Sequence, residues 1–143
     1  MRYEVISHPT KLSFPKLISL DTEYSDKNVR KAELLSVSVG VSPDLTYIVE
    51  DGRTLQSFID NAEVIFTWNG VVDWYILTKY RYNLPKEKIL DAMLMEHLVD
   101  ERIDHGLGDY ALREFNDNYK QEFWSKYNSY QEAPKEEAYE YEK

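Results

Sequence analysis

"LISLDTEYSD", residues 17–26, is the stretch on which the fold turns. Leu17, Ile18 and Leu20 form an apolar run that ends at Asp21, and Glu23 follows with one residue between. Such a run reads as a buried strand, here residues 16–23. Side chains alternate along a strand, so Asp21 and Glu23 project to the same face. One explanation of the pair is a polar turn that ends the strand. The other is chemical. Hard divalent cations such as Mg²⁺ and Mn²⁺ take oxygen ligands of this kind. Two such ions about 4 Å apart can activate a water and stabilise the leaving oxygen in phosphodiester cleavage.

Working outward, "RYEVIS" alternates weakly and predicts a short edge strand at residues 2–7. "AELLSVSVGV" (32–41) is β-branched and alternating, and "LTYIVE" (45–50) alternates again after the turn signal "SPD". Together with residues 16–23 these two strands are close enough to form an antiparallel meander. "TLQSFIDNA" (54–62) has helical spacing, with Thr54 as expected N-cap. "EVIFTW" (63–68) predicts a further strand, followed by "NG". The rest reads as helix: 71–82 up to the break at Pro85, 86–100 by its apolar period, 105–115 after glycines, and 134–143 with Pro and two Glu at its start. Residues 120–133 fit no single pattern. The fold class is therefore α/β, a mixed sheet flanked by helices.

The chain has 143 residues, enough for one domain with an ordinary core, and no cysteine. Disulfides and thiolate metal sites are excluded. No stretch approaches a membrane span or a signal peptide, so a cytoplasmic protein with no membrane partner is expected. The net charge of −9 argues against a general nucleic-acid coat. It leaves room for an enzyme that grips a few nucleotides. Five glutamates and two lysines in residues 131–143 put part of the excess at the C-terminus.

A second carboxylate cluster lies in "EVIFTWNGVVDWYIL" (63–77), read as strand, turn and helix. Asn69 and Asp73 are four apart, which puts Asp73 on the first helical turn near the loop that carries Asn69. Asn69 as N-cap and Asp73 as a favourable charge at the positive helix end explain the spacing structurally. His105, before Gly106, reads as a structural loop histidine, since the three histidines have no ligand spacing. Lysines and arginines at 27, 30, 31, 79, 81, 86, 88 and 113 read as solvated surface that could line a strand path.

"LISLDTEY", "VIFTWNGVVDWYIL" and "ILDAMLMEHLVDERIDHGLGDYALREF" occur in that order. They resemble the 3′–5′ exonuclease domain of family A DNA polymerases, in the four-carboxylate exonuclease superfamily with an RNase H-like fold. The resemblance covers residues 16–116 well and the tail more loosely. Asp21 and Glu23 match the first motif, Asn69 and Asp73 the second. Val72 stands where that motif usually has an aromatic. Asp91 matches an acidic residue that commonly begins the next helix, and reads here as a helix-surface or capping carboxylate. The third motif of the tyrosine branch is Tyr, three residues, Asp. Tyr141 falls in the Tyr place, and its Asp would lie beyond Lys143. Neither Glu140 nor Glu142 has the required offset from Tyr141, and Tyr139 reads as packing on a frayed last helix. The domain is thus expected to stop short of its last motif.

The resemblance implies proofreading of DNA 3′ ends with two divalent metal ions, Mg²⁺ or Mn²⁺. The ions would sit on Asp21, Glu23, Asp73 and the fourth carboxylate, and Tyr141 would orient the attacking water. Thr22, Tyr24, Trp68 and Asn69 would hold the terminal nucleotides. A single-stranded DNA 3′ end and a polymerase domain in the parent protein are the expected partners. An RNA-trimming exonuclease of the same superfamily, or a non-catalytic exonuclease-like scaffold or DNA-binding module, are the alternatives.

Overall fold

A computed structural model describes residues 2–8 and 12–142, and the side chain of Glu142 is not described. Six strands form one sheet in the order β1-β4-β3-β2-β5-β6. The strands are β1 (Arg2–Ile6), β2 (Leu17–Tyr24), β3 (Leu34–Ser42), β4 (Leu45–Val49), β5 (Val64–Thr67) and β6 (Ile89–Asp91). β2, β3 and β4 are the expected antiparallel meander. β1 pairs with β4, β5 with β2 and β6 with β5, all in parallel. The sheet is therefore mixed. β2 lies inside it, and its acidic end is fixed in register: Asp21 sits opposite Ser38 and Glu23 opposite Ser36.

The two sheet faces differ because the strands alternate. Ile18, Leu20, Val37, Val39 and Ile65 share the apolar face with Leu55, Phe58 and Ile59 of α1 (Gly52–Asn61) and Leu77 of α2 (Gly70–Lys79). Phe58 is fully buried, edge-on to Phe14 at 4.9 Å. The other face of β2 carries Ser19, Asp21 and Glu23, and β3 adds Ser38 and Gly40 from the opposed positions. Small polar residues leave space there. The remaining helices are α3 (Ala92–Val99), α4 (Leu107–Phe115), α5 (Tyr119–Lys126) and α6 (Lys135–Glu142).

Three local expectations are corrected here. α1 starts from Asp51, not Thr54: the Asp51 carboxylate accepts from both the backbone N–H and the hydroxyl of Thr54. α2 ends at Lys79, well before Pro85, because Arg81 takes a left-handed turn at φ 67° and Tyr82 N–H donates to the Leu77 carbonyl. Residues 86–100 are not one helix. A 3₁₀ turn at Lys86–Lys88 leads into β6, and α3 begins only after Asp91. The apolar period over residues 89–98 hid this strand, since Ile89 and Leu90 fit either pattern. Strand pairing with Ile65 and Phe66 decides the matter.

The last helix is docked rather than frayed. Tyr139 is buried, stacks edge-on against Tyr3 at 5.9 Å, and donates its hydroxyl to Glu50 at 2.6 Å. Lys135 and Ser7 donate to the same carboxylate at 2.6 and 2.7 Å. These donors, Lys135 foremost, pull the Glu50 carboxyl from the ordinary 4.5 down to about 2. A depressed acid stabilises the fold above its unfolded value and loses that contribution as pH falls through its native value. Glu50→Gln should therefore lower the melting temperature at pH 7, and the gap to wild type should close between about pH 4.5 and pH 2. A gap that stays constant across this range would exclude Glu50 as the charged anchor of α6.

Candidate active site

The acidic end of β2 and the start of α2 are stitched together through one threonine. Thr22 faces the buried side, opposite in alternation to Asp21 and Glu23, and is 4% exposed. Its backbone N–H donates to Asp73 Oδ1 at 2.9 Å and its hydroxyl to the same oxygen at 2.7 Å. Asp73 is only 3% exposed. Burial, then the nearby charge of Asp21, push its carboxyl up to about 7, against the pull of the Thr22 hydrogen bonds. Asp21 lies open to the cleft floor, yet the walls crowd it. Loss of water raises its carboxyl too, and the ammonium of Lys120 partly offsets this. The register slips beside the acidic pair: Glu23 faces Ser36 and Tyr24 faces Leu34, so Leu35 is the extra residue of a bulge in β3.

The elbow before α2 owes its shape to Asp91. Asn69 stands at the N-cap position but takes a left-handed conformation, φ 64°, and its side chain makes no cap. Asp91 does the capping instead, from β6. Its two oxygens accept from the N–H groups of Asn69 at 3.1 Å and Gly70 at 2.8 Å. They also accept from Met93 at 3.0 Å and Leu94 at 3.4 Å at the start of α3. The capping role expected for Asp91 holds, for two helices rather than one. No side chain fits at Gly70, where a Cβ would come within 2.1 Å of the Thr67 hydroxyl.

A cleft of about 1240 Å³ lies over Asp21, Thr22, Glu23 and Asp73. Trp68 and Asn69 line it, as does Tyr24, whose hydroxyl is pushed up by burial and then by Asp73, Glu23 and Asp21. Asn69 is exposed. Trp68 is half-buried and already held. Its indole N–H donates to the His105 carbonyl at 2.9 Å, and its ring meets Tyr110 at 5.1 Å. His105 is the structural histidine expected, with Nδ1 2.9 Å from Glu96, whose other oxygen takes Arg113. Thr22 has both donors turned to Asp73, so its place is beneath the carboxylate rather than at the cleft surface.

Tyr141 also reaches the cleft. It stacks on Phe123 at 4.2 Å, lies 5.8 Å from Tyr119, and its hydroxyl is pushed up by burial and then by Glu23. Sequence reasoning missed the helix opposite. α5 puts Tyr119, Lys120 and Trp124 on the cleft, and Tyr119 is raised by burial and by Asp21. The signal was weak because Asn116, left-handed at φ 54°, ends α4 and sets the direction of α5 by a turn. Asp117 N–H closes that turn on the Ala111 carbonyl at 3.2 Å. The basic residues singled out in the sequence are in part local braces. Lys79 binds backbone carbonyls of residues 30 and 32, Lys88 those of 59 and 60, and Lys86 lies over Trp74.

The donor set suits a hard cation in kind: crowded carboxylates, two of them raised by burial, with oxygen ligands only. Among the described residues, no three acidic, histidine or cysteine side chains are gathered as a metal cluster. Among them also, no helix is long and apolar enough to cross a membrane.

Neither a protein-family model nor a curated protein matches the chain. Solved structures do. NrnC of Brucella melitensis with bound Mg²⁺ is similar at a TM-score of 0.69 and 14% identity, over 81% of this chain and 62% of that one. Escherichia coli RNase D, an exoribonuclease involved in structured RNA processing, is similar at 0.64 and 14% identity, over 82% and 34%. The EXO domain of Aedes aegypti Nibbler is similar at 0.64 and 14% identity, over 86% and 69%. The chain thus spans less than two thirds of the first two. These likenesses carry the exonuclease fold and lend no support to a polymerase assignment. The mixed six-stranded sheet with its flanking helices is the RNase H-like fold of 3′–5′ exonuclease domains.

Proposed function

We propose that this chain is a 3′–5′ exonuclease domain that trims single-stranded RNA, in place of the DNA proofreading expected from the sequence. The observation that carries the reading is the Asp21–Thr22–Asp73 junction at the bottom of a wide cleft. RNA is preferred over DNA because RNase D, a neighbour in fold, is an exoribonuclease. Asp21, Glu23 and Asp73 would hold the divalent ions, which when bound supply a water of lowered pKa and neutralise the leaving oxygen. The chain's own residues do the positioning. Thr22 fixes the Asp73 carboxylate by two hydrogen bonds. The Tyr141 hydroxyl, raised by burial, stays protonated at neutral pH and can donate to a water or a phosphate oxygen beside Glu23. Asn69, exposed at the elbow, offers an uncommitted amide to a terminal sugar or base.

Incubation of 5′-labelled RNA and DNA single strands of one sequence, with Mn²⁺ or with EDTA, tests the reading. A metal-dependent ladder shortening from the 3′ end, faster for RNA, is expected. Faster DNA digestion would return the reading to proofreading. No digestion of either strand would favour the scaffold alternative.

A further inference from the structure

We infer that α5 is the strand-guiding wall of the cleft: Lys120 takes a backbone phosphate of a bound single strand, and Trp124 stacks on one of its bases. The inference rests on the exonuclease reading and names the contacts of that same site. Lys120 and Trp124 are four residues apart on α5, so they share one helix face, and both line the cleft over Asp21.

Lys120 is held by its stem. α4 presents Gly108 to it, and a Cβ at that position would come within 3.1 Å of both Cβ and Cδ of the lysine. The glycine thus leaves room for the aliphatic chain to lie against α4. The charge acts on Asp21. Lys120 has no hydrogen bond or close ion pair within the described residues, so its three donors are available to an anion. Lys27 and Lys120 both line the cleft, and Lys120, held by its stem beside Asp21, biases where an anionic strand lies.

Trp124 is 43% exposed, so part of its ring is open to the cleft. It is braced from behind, edge-on to Phe123 at 4.9 Å and steeply inclined to Tyr141 at 5.7 Å. A rigid ring with an open side loses little entropy when a base stacks on it. Only an unpaired base has a free face to offer, so the pair Lys120–Trp124 selects a single strand over a duplex.

The test is anisotropy of a labelled single-stranded RNA in EDTA, where binding is read without cleavage. Lys120→Met should weaken binding at low salt and reduce the slope of log K against log salt by about 0.7, one phosphate contact on a single strand. Trp124→Ala should weaken binding roughly tenfold or more, and Trp124→Phe much less. A set of strands, each lacking the base at one position, should contain one strand for which Trp124→Ala costs nothing further. A merely structural role would weaken all strands alike, and that result, or an unchanged salt slope in Lys120→Met, overturns the inference while the exonuclease reading stands. Wild-type protein that binds no strand overturns the inference, and the cleavage assay with Mn²⁺ decides the exonuclease reading separately.

Discussion

Asp73→Asn should cost at least about a hundredfold in nuclease rate and, without metal, should make the protein more stable above neutral pH. The two effects have one cause. Asp73 is buried beside Asp21, and its carboxyl is raised to about 7. An acid whose native value lies above its unfolded value binds its proton more tightly when folded. It therefore favours the fold at low pH, and that advantage is lost as pH rises from about 4 to about 7. A shift of about three units corresponds to at most about 4 kcal/mol. Asparagine keeps an acceptor for both Thr22 donors and carries no charge, so the penalty disappears while the junction survives. Thermal melts in EDTA should show the mutant level with wild type at about pH 4 and above it at pH 8. Adding Mn²⁺ should raise the wild-type curve and leave the mutant nearly unmoved. A mutant that melts below wild type at pH 8 would mean that the charge-assisted hydrogen bonds from Thr22 outweigh burial and repulsion at this carboxylate.

Asp91→Ala should be the most destabilising polar substitution in the chain, at roughly 2–4 kcal/mol in denaturant unfolding. Its carboxylate serves four backbone N–H groups from two helix starts. An ordinary N-cap truncation costs about 1 kcal/mol. Here a second helix start is uncapped as well, and Asn69 loses the bond that offsets its left-handed backbone. Activity should fall with stability, because the elbow launches the helix that carries Asp73. Asp91→Asn, which keeps one acceptor oxygen, should recover part of both. A cost below about 0.5 kcal/mol for the alanine would show that water replaces the carboxylate fully at this half-exposed site.

What the sequence alone determined is the acidic strand and its setting. Residues 17–24 combine a two-residue period with an apolar face, and that pattern admits one register, so Asp21 and Glu23 had to share a face. The meander, β5 and the placing of Asp73 on the first turn of α2 follow from equally local signals. The tertiary structure decided the rest. Ile89 and Leu90 satisfy helix and strand periods alike, and only the free edge of β5 made them β6. Thr54 and Asn69 are good caps by residue type, yet longer-range carboxylates, Asp51 and Asp91, supply the hydrogen bonds. Tyr139 belongs to the α6 anchor because Glu50 lies 89 positions earlier in the chain and still meets its hydroxyl. Lys120 and Trp124 have no motif around them. Their place over Asp21 depends on the left-handed turn at Asn116 and on the missing side chain of Gly108, and contacts between distant segments leave no period in a sequence.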